Sequence, residues 1–449
     1  MNSTSSPTQQ QCPTPSDERL TGGAFAPRWI PQNLSRALCS FLWPIVIVEI
    51  IHRAWILSSN LASTDDFTTV WSAVDRFVSG VPVYSENYLT TDPHYLYSPG
   101  ATLLLSPMAL FGDIDSGRLW FAIIQAIAIV AALVMLLRWL GVEKQSPLIP
   151  GLVAIAFLTE PVTNTLDFTN VNGSLFLALV AFLILLDMRK SLLAGLIIGL
   201  AIAIKPVFLP LLFLPFMRRQ FSTVIAAIAV VTAANAAAWP VMVQPRDYID
   251  ITIPYLGIVR DYANASLPGQ LVWFGANPKL ILLWQVFFAA FVIVALVLLL
   301  RWLERDEKFW LTTTSGLLLT GAFFLSSLGQ QYYSLMLFPL VLSILPPLLG
   351  TKNEEGTVAR TVMLNWPAGL AVVLCFFLAN WIVETGDFLT SWFTIAIAAF
   401  GWGLLILTIA GASIRMTIED VRNGRSFKSG FDWLGKWIPG ANSSNAQSS

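Results

Sequence analysis

The residues of this chain that could do chemistry are few, and they fall in short polar stretches between long apolar ones. Thr64-Asp65-Asp66-Phe67 sets two carboxylates side by side ahead of a run in which Phe67, Val70, Trp71, Val74, Phe77 and Val78 recur at helical spacing. A carboxylate in that place can take a proton from a hydroxyl. It can also cap the helix that follows, a use that occupies one of the pair and leaves the other. Asp92-Pro93-His94-Tyr95-Leu96-Tyr97-Ser98-Pro99-Gly100 adds His94 and Tyr97 as contacts for a phosphate or sugar. Thr163-Asn164-Thr165 and Asn170-Val171-Asn172 supply amides, from Asn164, Asn170 and Asn172, that suit sugar hydroxyls; Asn170 could equally cap a helix.

Lys205 stands in Ala201-Ile202-Ala203-Ile204-Lys205-Pro206, with no acid close in sequence. A lysine among apolar residues is costly unless it meets an anion or water, or snorkels to an interface. Its chemical use would be as a point charge for a phosphate. Arg260-Asp261-Tyr262, with Asn264 after it, offers Arg260 as a second phosphate ligand or as half of a local ion pair. Gln330-Gln331-Tyr332-Tyr333 offers Gln331 and Tyr332 to a sugar, or is an ordinary turn between helices.

Composition says what must position these groups. Of 449 residues, 55% are hydrophobic and only 12% charged, about half the charged fraction of a soluble domain. Apolar runs of about 20 residues recur, which gives an all-α polytopic membrane protein of about 10–12 transmembrane helices. A net charge of −1 and the lack of a basic domain argue against nucleic acid. Two histidines and three scattered cysteines leave no zinc or disulfide framework. Without a carboxylate cluster, no cofactor or metal is expected.

Two apolar segments do not read as simple crossings. Segment 99–111 is too short to span, and 191–217 is broken by Lys205-Pro206. If 99–111 enters and returns, and 191–217 is a hairpin, loop charge falls into place. Arg138, Lys144, Arg189, Lys190, Arg218, Arg219, Arg301, Arg305, Lys308, Lys352 and Arg360 then share the cytoplasmic side with both tails. The polar stretches gather on the opposite, outer side, above all in the 59–116 loop with its surface helix. Residues 1–36 read as a flexible cytoplasmic tail and 37–414 as the catalytic bundle. Residues 415–449 read as a basic and aromatic tail for anionic lipid.

The order of these landmarks resembles the polyprenyl-phosphate-dependent GT-C glycosyltransferases of actinobacteria. The landmarks are the acidic first loop, Tyr97-Ser98-Pro99-Gly100 with its dipping segment, Asn170-Val171-Asn172, Ala194-Gly195-Leu196-Ile197-Ile198-Gly199-Leu200-Ala201, and Lys205-Pro206. Asp92–Tyr97, Thr163–Thr165, Arg260–Tyr262 and Gln331-Tyr332-Tyr333-Ser334 resemble more closely the arabinofuranosyltransferase branch, over roughly residues 40–415. Ser98-Pro99-Gly100 departs from the Pro-Pro turn of relatives.

That resemblance implies a GT-C bundle in the plasma membrane with its site on the outer face. It implies decaprenyl-phosphate arabinose as donor and arabinan as acceptor, joined in the α-(1→3) branches of arabinogalactan or lipoarabinomannan. The family's catalytic base falls on Asp65 or Asp66, with spacing in favour of Asp66. One base without a separate nucleophile suits inversion, while the adjoining Asp65 and Asp66 leave a second carboxylate acting as nucleophile as the alternative. A mannosyltransferase of the same class would share these features. A transporter would need inverted repeats with matching broken helices, which the sequence does not display.

Overall fold

Apolar stretches fold as helices here because a backbone in hydrocarbon must satisfy its own hydrogen bonds. The computed structural model describes residues 32–57, 66–90, 93–348, 361–377 and 388–426. Among them are helices and connecting loops, and no strand. Most of the N-terminal tail, Asp65, Asp92 and the aromatic C-terminal tail from Phe427 lie outside the described residues.

The chain is an all-α polytopic membrane protein. Five helices are long and apolar enough to cross a membrane: Asn33–Ile56, Ile114–Trp139, Phe221–Ala238, Pro278–Trp302 and Trp392–Arg422. The pair Leu148–Phe157 and Glu160–Asp167, bent by 62°, makes up to six. The sequence leads one to expect about 10–12 crossings; five or six helices among the described residues are long and apolar enough to cross by themselves. The remaining stretches include shorter apolar helices of 10–17 residues.

The elements that build the site are α1 (Gln32–Ile51), α2 (Asp66–Val78), α3 (Pro99–Leu105), α4 (Ile114–Trp139) and α5 (Leu148–Phe157). They continue with α6 (Glu160–Asp167), α7 (Asn172–Asp187), α8 (Ser191–Ile204), α9 (Phe213–Met217) and α10 (Phe221–Ala238). Thr223 Oγ1 donates to Ser191 O at 2.8 Å, and a Cβ on Gly199 would meet Ala227 and Val230. The starts of α8 and α10 are therefore adjacent, and the two helices run parallel. Residues 206–217 between them must run back. The lengths agree: α8 has 14 residues and climbs about 21 Å. The 3₁₀ turn Pro206–Leu212 and α9 return about the same distance. The hairpin read from loop charge is present, with Lys205 at its tip. Pro206 ends α8 because it has no N–H to continue the helix and disfavours a helical residue before it. Lys205 is accordingly extended, at φ −132° and ψ 103°.

Segment 99–111 is one short apolar helix, Pro99–Phe111, rather than a descending and a returning leg. Ser98 Oγ donates to Ala203 O (3.3 Å) and Gly100 N to Asn235 Oδ1 (3.0 Å), which puts its start beside the ends of α8 and α10. Its exit leads into α4, where Arg118 Nη2 donates to Thr68 Oγ1 of α2 at 2.8 Å. Helix α2 forms where its spacing predicts. Most of its apolar face is covered by protein: Phe67 and Val74 are buried, and the Phe67 ring lies 5.9 Å from Phe121 and under the Arg118 guanidinium.

The opposite end collects the cations. Helix α4 runs 26 residues, about 39 Å, from the α2 end to Trp139, whose carbonyl accepts from Lys308 Nζ at 3.0 Å. Trp139 Nε1 donates to Asp187 Oδ2 (2.7 Å), and Glu307 pairs with both Arg189 and Arg218. Arg301, Arg305 and Arg425 converge on Asp420 at 2.5, 2.9 and 3.1 Å.

Between helices in lipid there is no hydrophobic drive, so close contact through small residues matters most. A Cβ on Gly195 would stand 2.5 Å from Thr223 O, and one on Gly199 2.9 Å from the Ala227 backbone. Gly195→Val is expected to destabilise the protein by about 1–3 kcal/mol through overpacking. Gly411→Ala, with nothing within 4 Å of the added carbon, is expected to be neutral. Thermal unfolding in detergent, read by tryptophan fluorescence, compares the two.

Candidate active site

A cavity of about 280 Å³ opens at the α2 end of the bundle. Its polar walls come from Asp66, His94, Tyr97, Lys205, Arg260, Tyr262, Gln330, Tyr332 and Tyr333. These residues are separated by as many as 267 positions, so only tertiary packing brings them together.

Asp66 is the first residue of α2, where a negative charge also suits the helix dipole. Its Oδ2 accepts from Tyr332 OH at 2.8 Å and from Asn170 Nδ2 at 3.3 Å. Phe67 N donates to Phe168 O at 3.2 Å and ties the start of α2 to the turn that carries Asn170. That turn is closed by Asn170 Oδ1, which accepts from Asn172 N at 3.1 Å. Asparagine favours such a bond to its own backbone two residues on.

Lys205 faces Asp66 from the hairpin tip. It is only 8% exposed. Its Nζ donates to Asn172 Oδ1 at 2.7 Å and lies 4.9 Å from the Tyr333 ring centroid and 5.8 Å from that of Tyr332. Both ring contacts are within cation–π range. Tyr332 and Tyr333 begin a 3₁₀ turn, Gln331–Leu337, in which adjacent side chains point in different directions. One tyrosine therefore reaches the carboxylate while the other carries the ammonium. Tyr97 completes that wall; its phenol is pushed well above its ordinary pKa, first by burial and then by the charge of Asp66.

Arg260 comes from a loop with little regular structure, and Asn264 holds it. The buried Asn264 amide donates to Arg260 O (3.0 Å) and Ser327 O (2.8 Å) and accepts from Ser266 N (3.0 Å) and Gly329 N (2.9 Å). Gln330 Nε2 adds a bond to Ala263 O. Gly329 admits this contact, since a Cβ there would stand 2.6 Å from Phe323 O. The Arg260 guanidinium lies 5.4 Å from the Tyr262 ring centroid.

The structure sorts the residues chosen from sequence. Asp66, Lys205, Arg260, His94, Tyr97 and Tyr332 line the cavity together. Asn170 and Asn172 do not line it; they stand behind Asp66 and Lys205. Asn164 is buried and bonded to Glu160, one turn earlier on α6. Gln331, expected at a sugar, turns instead to Thr394 O on the helix Phe388–Arg422. His94 lines the cavity, yet its Nε2 is bonded to Thr90 O, its Nδ1 is 3.7 Å from Glu86, and its ring packs on Tyr88 and Tyr255. Tyr333, Tyr262 and Gln330 line the cavity without having been chosen. Their signal was adjacency to residues that were. Asp65 lies outside the described residues.

Fold and site define a membrane-embedded enzyme with a carboxylate and two cations around a polar cavity at one end of its bundle. The chain belongs to glycosyltransferase family 87, whose model matches residues 95–327. An α-(1→3)-arabinofuranosyltransferase of Corynebacterium glutamicum is 43% identical over 382 residues, 85% of this chain and 88% of that protein. One of Mycolicibacterium smegmatis is 40% identical over 394 residues, 86% and 88% of the two chains. A more distant relative is a polyprenol-phosphate-mannose-dependent α-(1-2)-phosphatidylinositol pentamannoside mannosyltransferase of M. smegmatis. It is 29% identical over 219 residues, 45% of this chain and 50% of that protein.

Asn264→Ala leaves two backbone donors and two acceptors without their partner and is expected to destabilise the protein by about 2–3 kcal/mol. Hydrogen exchange should quicken in 257–266 and 326–331 and stay unchanged in α8 and α10.

Proposed function

We propose that this glycosyltransferase moves arabinofuranose from decaprenyl-phosphate arabinose to arabinan, forming α-(1→3) branches, with inversion and with Asp66 as general base. The observation that carries the reading is the pairing of charges across the cavity. Asp66 is the one carboxylate among its described lining residues, and it faces Lys205 and Arg260. The names of the two arabinofuranosyltransferase relatives support the sugar and the linkage.

In this reading an arabinan hydroxyl enters within hydrogen-bond reach of Asp66. Its oxygen attacks C1 of the donor sugar as Asp66 takes the proton. The bond from C1 to the phosphate oxygen breaks, and the electron pair leaves with decaprenyl phosphate. Lys205, joined by Arg260, stabilises the charge gathering on that phosphate, where a desolvated cation acts most strongly. A single displacement, with attack on the face opposite the departing phosphate, inverts the anomeric centre, so a β-linked donor gives an α-linked product. The paired arginines at the far end obey the positive-inside rule if that end is cytoplasmic. The cavity then opens on the outer face of the plasma membrane, with both termini inside.

A second reading, transfer of mannose from a polyprenyl phosphate, draws on the mannosyltransferase relative, which matches only the smaller share of the chain. Purified protein in lipid nanodiscs, given either donor with a short arabinan acceptor, separates the two. Arabinose transfer that persists in chelator is the expected result; mannose transfer alone would overturn the proposal in favour of the second reading.

Asp66→Ala is expected to lower turnover at least a hundredfold, within the usual range for a general base, while the protein still inserts and folds. Wild-type turnover in that variant would sink the assignment. For Lys205→Ala, loss of the charge-assisted contact should raise the donor KM roughly tenfold or more and leave the acceptor KM unchanged.

A further inference from the structure

Asn170 and Asn172 stand two residues apart, and each reaches a charged group on the cavity wall without lining the cavity itself. We infer that the Asn170-Val171-Asn172 turn is a positioning clamp: Asn172 fixes the Lys205 ammonium, Asn170 fixes the Asp66 carboxylate, and the turn sets their separation. The inference rests on the roles proposed above for Asp66 and Lys205, and it makes the two amides supports rather than sugar contacts.

Asn172 is 1% exposed, and its Nδ2 is buried without a hydrogen-bond partner. A buried amide kept for packing alone would be expected to satisfy both of its ends. Here only the oxygen is used, and it is used on Lys205. A lysine ammonium is a rotatable charge on a flexible stem. Its other neighbours are the faces of Tyr333 and Tyr332, which attract a cation without fixing its direction. The Asn172 bond supplies that direction. It does so with a neutral acceptor, so the positive charge remains available to a phosphate.

The turn itself cannot drift. Asn170 Oδ1 closes it on Asn172 N, and Asn170 N donates to Thr165 O at 3.1 Å. The next residue, Gly173, is pressed on α4 so closely that a Cβ would stand 2.6 Å from Gln125 O. Both charges thus refer to one backbone segment anchored on the bundle.

The test is a double-mutant cycle in nanodiscs, with decaprenyl-phosphate arabinose and a short arabinan acceptor. Asn172→Ala should raise the donor KM roughly tenfold and leave the acceptor KM unchanged. Added to Lys205→Ala, it should change the donor KM by less than about twofold, because a residue acting through Lys205 has nothing left to position. Effects that multiply, or a rise in acceptor KM, would show that Asn172 touches substrate and would overturn the clamp. Lys205→Ala with a wild-type donor KM would fail differently, removing the phosphate role and the clamp together. Asn172→Asp covers the case in which the alanine variant does not fold. Its carboxylate should hold the ammonium in place, keep the melting temperature and still raise the donor KM; an unchanged KM there would count against the clamp.

Discussion

A lysine ammonium that is 8% exposed and makes no ion pair among the described residues is the constraint on which the rest of this structure depends. Charge taken out of water costs several kcal/mol unless it is paired or solvated. Lys205 has one amide oxygen and two aromatic faces in place of a carboxylate. Holding it there takes a helix that stops at Pro206, a return leg of matching length, and two glycines that let α10 pack against α8. The hairpin brings the ammonium to the cavity wall instead of leaving it among lipid tails.

Charge at the cavity wall is held differently from charge at the far end of the bundle. At the far end, Asp420 takes three arginines and Glu307 two, and Arg301 is fully covered at its side chain. Those cations have carboxylate partners and fasten helix to helix. At the cavity end, Asp66 is bonded to a phenol and an amide, and Lys205 to an amide. A neutral acceptor holds the Lys205 ammonium in place without cancelling its field, which is the condition for acting on a substrate.

Two short segments do most of the positioning, and each addresses both charges. Asn170 and Asn172 reach Asp66 and Lys205 from one side; Tyr332 and Tyr333 reach them from the other. Asn264 then locks the Arg260 loop onto the strand-free turn that leads into the tyrosines. A shift in any one segment moves both charges together, so their spacing is more robust than either position alone.

The sequence by itself determined the membrane class, because a long apolar run has few ways to satisfy its backbone in hydrocarbon. It also determined the break at Lys205-Pro206 and the presence of a hairpin there, since proline chemistry and loop charge are local or additive properties. Lys205 was legible for the same reason, because a charge beside apolar residues is conspicuous wherever the chain goes; the pair Asp65-Asp66 was legible as well, with the spacing implied by the resemblance in favour of Asp66. What the amides do was decided only by tertiary structure. Whether Asn172 meets a sugar or a lysine depends on where residue 205 lies in space, and no spacing in the chain encodes a contact across 33 positions. The same holds for Gln331, which turned to Thr394, and for its neighbour Gln330, which took the cavity. Gln330 is extended, at φ −108° and ψ 138°, and Gln331 begins the 3₁₀ turn, so the two side chains leave the backbone in different directions and the helices packed around them set which one faces the site.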